Sequence, residues 1–76
     1  MKFRKKPVVI EAEQFFADQP LPFHNRGVVE FADGRFFVTT LEGPLNISDG
    51  DWIICGVKGE FYPCKPDIFA ATYERV

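Results

Sequence analysis

The stretch GDWIICGVKGEFYPCKPDIF, residues 50–69, decides how this chain is read. It holds both cysteines and the only tryptophan, so it is either a reactive site or the core hairpin of a small domain. Trp52 to Gly56 is rich in aromatic and β-branched residues, as a strand is. Lys58-Gly59 supplies a turn, and Glu60 to Cys64 returns. With that turn at the tip, Val57 opposes Glu60, Cys55 opposes Tyr62 and Ile53 opposes Cys64. The two thiols then share a face as diagonal neighbours, roughly 7–8 Å apart. A disulfide needs Cα atoms about 4.4–6.8 Å apart, so both cysteines are read as free. Lys65-Pro66-Asp67 then changes the pattern, because proline and an acid both favour the first turn of a helix. The spacing predicts one or two helical turns with Ile68, Phe69 and Thr72 inward. Residues 72–76 read as either helix or a short strand beside the first one. Trp52 either caps the core or stands on the surface.

Working upstream, the chain is punctuated by turns. Ser48-Asp49-Gly50 and Glu42-Gly43 are two of them, and the second would set Val38 opposite Ile47. Asp33-Gly34, flanked by Val28–Phe31 and Phe36–Leu41, is a strong hairpin signal. It pairs Phe31 with Phe36 and Val29 with Val38, and those four share a face expected to be core. Phe37 and Glu30 point the other way. Residues 16–27 carry Pro20, Pro22, Asn25 and Gly27, which limits them to a loop with at most a short helical turn. Residues 7–15 read as strand 1, with Val8, Ile10 and Ala12 on one face. The expected fold is α+β, mainly β: a small antiparallel meander or partly open barrel with one short C-terminal helix, over a single domain, 1–76.

Composition agrees with a folded domain. The 76 residues are 46% hydrophobic and include nine phenylalanines, unlike a disordered segment. A chain of this size buries only about 60% of its unfolded surface, so a homo-oligomer would help it. The net charge is −2, and four of the nine basic residues cluster at Lys2, Arg4, Lys5 and Lys6. A nucleic-acid binder usually spreads basic charge over one whole face. No segment approaches the roughly 20 apolar residues of a membrane span. Nor is there an apolar run of roughly 7–15 residues near the start, as in a signal peptide. A cytoplasmic location is the expectation, and unpaired cysteines fit it.

The opening MKFRKKPVVIEA (residues 1–12), with TLEG (40–43), GDWII (50–54), GVKGEFYPC (56–64), PDIF (66–69) and TYE (72–74), resembles a group of small phage and prophage proteins named for a Pro-Gly-Asp-Tyr-Gly motif. The likeness covers both ends of the chain and misses mainly residues 13–27. Asp49 stands where the motif has proline, Trp52 where it has tyrosine, and Cys55 where a polar residue is expected. The group has no established activity. The resemblance therefore implies an origin in a phage or prophage, and a place in a bacterial host's cytoplasm, rather than a mechanism.

The chemistry offered by the residues is sparse. His24 is the only histidine, in a proline-rich loop, and nothing in the sequence pairs it with Cys55 or Cys64. Two cysteines nine apart do not match the two-to-four spacing typical of structural zinc. Asp49, Asp51 and Glu60 are an acidic cluster or simply turn residues. No Gly-x-Gly-x-x-Gly or P-loop is present, and no cofactor, metal or catalytic set is expected. The reading is a non-enzymatic accessory protein that binds a host protein, as a takeover or anti-defence inhibitor. One alternative is an oligomer that sequesters a nucleotide-type small molecule. The other is a nucleic-acid module using the basic N-terminus, which the acidic remainder of the chain disfavours. Candidate contact residues are Trp52, Phe37, Arg35, Lys58, Asp51 and His24.

Overall fold

A computed structural model describes residues 1–3 and 8–75. Among them, six short strands form two three-stranded antiparallel sheets, and one short helix follows. The strands are β1 (Glu11–Gln14), β2 (Val29–Ala32), β3 (Arg35–Thr40), β4 (Gly43–Asn46), β5 (Trp52–Cys55) and β6 (Phe61–Cys64). A 3-10 turn covers Pro22–Asn25, and helix α1 is Pro66–Thr72. One sheet has the order β1-β5-β6 and the other β2-β3-β4. The mainly-β α+β expectation is met, with no closed barrel. A single meander is not what forms. The chain leaves the first sheet after β1, builds the whole second sheet, and returns as β5 beside β1.

The Asp33-Gly34 hairpin forms in the predicted register, Val29 opposite Val38 and Phe31 opposite Phe36. Asp33 and Gly34 have φ of 53° and 73°. Positive φ at both central residues is the type I′ turn whose twist matches paired strands. Val29 and Val38 are buried, but Phe31 is 62% exposed, which corrects the expectation of a core residue. It sits beside the hairpin tip and packs on Phe36, with ring centroids 4.7 Å apart. Phe36 itself turns inward to Phe15, at 5.0 Å.

The next two registers differ from expectation. Val38 faces Leu45 rather than Ile47, because Leu41 and Glu42 form the tip and Gly43, at φ 107°, already pairs with Thr40. A two-residue shift leaves every side chain on its face. Ile47 accordingly stays buried, donating its N–H to the Phe36 carbonyl at 3.0 Å. The β5–β6 register is off by one, with Cys55 opposite Phe61, Ile54 opposite Tyr62 and Trp52 opposite Cys64. The loop is a turn closed by Gly59 N–H to the Gly56 carbonyl, 3.0 Å, followed by Gly59 at φ 82°. That extra left-handed residue is the bulge of a three-residue hairpin loop. A one-residue shift reverses faces. Cys55 and Cys64 thus lie on opposite faces of the sheet, and both are free.

Phe15, Val29, Val38, Ile47 and Ile53 form the core between the sheets, with Phe23, Phe36 and Phe61 packed around them. Phe23 and His24 hold φ of 57° and 56°, a left-handed conformation that costs a non-glycine residue about 1–3 kcal/mol. The Phe23 N–H donates to Glu13 Oε2 at 3.1 Å, and its ring meets Phe61 edge-on at 5.1 Å. These contacts hold the turn in place.

The ends depart most from expectation. Strand 1 begins at Glu11 rather than residue 7; Val8 and Val9 are exposed, and Pro7 lies outside the described residues. On α1 only Phe69 turns inward; Ile68 and Thr72 are exposed, and the Thr72 hydroxyl bonds back to the Ile68 carbonyl at 2.8 Å. Tyr73 is extended, and residues 73–75 join no ladder. With seven residues the helix presents one apolar contact, so a second inward row has no length to form. No described helix is long and apolar enough to cross a membrane.

Candidate docking groove

The outer face of the β1-β5-β6 sheet is where the chain offers a concavity. Trp52 emerges there from β5, next to Gln14 of β1 and Cys64 of β6. Phe69 from α1 stacks on it, ring centroids 4.3 Å apart and planes within 7°. Tyr73, four residues along, stacks on Phe69 at 5.0 Å. The three rings form an aromatic row, each such pair worth about 0.5–1.5 kcal/mol beyond area burial. Between this row and the chain from Val8 to Ala12 runs a groove of about 470 Å³, lined also by Glu74 and Arg75. That volume suits a small ligand or a few side chains of a partner.

The helix is fixed to the sheet by one charged staple. Asp51 is 2% exposed, the buried charge of the described residues. Its carboxylate accepts from Lys65 Nζ at 3.1 and 3.2 Å and from the Ser48 N–H at 3.0 Å. Lys65 immediately precedes α1, so the contact ties the Ser48–Asp51 turn to the start of the helix. On the far side, burial pushes the Tyr62 hydroxyl up to about 12, aided by its hydrogen bond to Tyr73 and by Glu60. Tyr62, which lines a second and smaller concavity, therefore stays neutral.

The six candidate contact residues do not converge. Trp52 alone lines the groove. Asp51 lies behind it, occupied by the staple. Arg35 is exposed at the β2–β3 tip and Lys58 at the β5–β6 tip, on different sheets. Phe37 is half-buried on the outer face of the other sheet, opposite Glu30 and Asn46. His24 is exposed in the 3-10 turn. The acidic cluster also separates. Asp49 Oδ1 accepts from the Ala17 N–H at 2.8 Å, while Glu60 folds over Gly56 in the β5–β6 loop. Both behave as turn residues. Among the described residues no three His, Cys, Asp or Glu side chains gather as metal ligands.

Burial raises the Cys64 thiol, and the nearby Asp67 and Asp51 add to the effect. A thiol held protonated is the wrong form for a nucleophile. A second, smaller concavity of about 250 Å³ lies between the β3–β4 hairpin and β6, lined by Leu41, Leu45, Glu60 and Phe61 among others. None of the six candidate residues reaches it. Sequence reasoning missed Phe69 and Tyr73 as groove walls. Their four-residue spacing was a usable signal, but only the fold sets that helical face against Trp52.

Comparison with known proteins adds no relative: no protein-family model, no curated protein and no solved structure matches the chain.

Proposed function

We propose that this is a non-catalytic binding protein of phage or prophage origin, acting in a bacterial cytoplasm by docking a host protein in the groove between β1 and α1. The observation that carries the reading is the groove itself: an apolar trough of about 470 Å³ with Trp52, Phe69 and Tyr73 along one wall. Aromatic residues are the commonest anchors of protein interfaces, and they contribute most where water is excluded. The motif resemblance supports the phage origin. The scattering of His24, Cys64 and the carboxylates supports binding over catalysis.

Ala70 gives a clean test. It lines the groove but is exposed on α1, so Ala70→Glu alters the trough without touching the core. Tagged parent and Ala70→Glu proteins would be recovered from the host's lysate and compared by native mass spectrometry. A host protein retained by the parent at stoichiometric amount and lost by the variant is the expected result. Equal recovery by both proteins would refute groove docking.

A second reading rests on Arg75, which lines the groove together with the aromatic row and Glu74. A cation next to stackable rings suits a nucleotide's phosphate and base. In this case the same experiment returns a small-molecule adduct on the parent and none on Ala70→Glu.

A further inference from the structure

The edge of β1 away from β5 pairs with no strand among the described residues, as a sheet edge that can accept one. Its residues Glu11 and Glu13 are acidic and exposed. Two copies pairing β1 against β1 directly would set glutamate against glutamate, which is unfavourable. The same chain carries the complementary element. Met1-Lys2-Phe3 alternates apolar and basic residues, all three exposed and Phe3 88% so. In sequence it opens the basic half of a segment whose acidic half is β1. Val8 and Val9, leading into β1, are exposed as well. Met1 and Phe3 are thus almost fully exposed, in a domain whose core is small.

We infer that the protein forms a two-fold dimer by exchanging N-terminal arms: Met1–Phe3 of each subunit lies antiparallel along the unpaired edge of β1 of the other, with Lys2 over Glu11. The arrangement is isologous and closed, because each copy gives one arm and accepts one. It satisfies the open edge, covers Phe3, and uses charge to reject the β1–β1 alternative. It goes beyond the groove's proposed ligand and does not depend on it.

The test is sedimentation and native mass spectrometry of the full chain at low and high salt, with three variants. The parent is expected to be a dimer at micromolar concentration, and to weaken as salt shortens the Debye length from about 10 to about 3 Å. Phe3→Asp, exposed in the single subunit, is expected to fold normally and lose the dimer. Lys2→Glu and Glu11→Lys, each alone, replace attraction by repulsion at both reciprocal contacts and should weaken the dimer about tenfold. Mixing those two variants restores both contacts, so a mixed dimer should dominate over either homodimer. A parent that is monomeric at low salt overturns the inference, leaving the edge to a foreign strand. So does a dimer that the three variants leave unchanged, or a mixture that shows no preference for the mixed species.

Discussion

Tyr62 shows how a single side chain couples this fold to pH. Burial and the adjacent Tyr73 hydroxyl lift its pKa from 10.0 to about 12. The unfolded chain ionises at the lower value and the folded chain at the higher one. Stability from this group is therefore complete below pH 10 and drains away as pH rises toward 12. Alkaline titration followed by ring-labelled NMR and circular dichroism should show Tyr62 neutral until the fold itself is lost. In Tyr62→Phe that alkaline loss should shrink. A Tyr62 phenolate near pH 10 in a still-folded chain would show the burial to be inconsequential. His24 makes a different residue-scale point. Its left-handed backbone is a cost that the sequence, read for chemistry, disguised as a candidate contact.

Among elements, the Ser48–Asp51 turn is joined to α1 by the one ion pair found among the described residues. Asp51→Ala removes an ion pair and strands the Ser48 N–H, at a cost of about 2–4 kcal/mol. Lys65→Met should cost only about 1–2 kcal/mol, since Lys65 is 58% exposed and Asp51 keeps its backbone donor. Urea midpoints of the two variants decide this; equal, small shifts would show that the staple is ornamental. The same scale explains what the sequence made legible. Asp33-Gly34 fixed its own register because a two-residue type I′ loop permits no other. The β5–β6 loop misled because Gly59 adds a bulge, and one inserted residue turned Cys64 to the other face. Glu42-Gly43 misplaced its strand by two residues yet kept Ile47 buried, since parity survived. Trp52 was visible as a candidate from composition alone. The groove was not, because its walls come from both ends of the chain and only tertiary packing brings them together.

For the molecule as a whole, order should decline from the middle of each sheet outward. β3 and β5 are paired on both sides, and they contribute the fully buried Val38, Ile53 and Ile54. Native-state hydrogen exchange should find its slowest amides there, with β1, β4 and α1 exchanging at lower opening cost. Slower exchange in α1 than in β5 would contradict the layered picture. The two sheets meet through β6 and β3, so the core is shared and a break in either sheet should report in the other.

That gradient gives the groove walls of unlike character. One wall is the chain from Val8 to Ala12, which joins the sheet only at β1. The other is the aromatic row, in which Trp52 stands on β5 while Phe69 stands on a seven-residue helix with no buried residue, tied down by its stack on Trp52 and one partly solvated ion pair. Trp52 stays with the sheet if α1 lifts, and the row then loses both of its other rings at once.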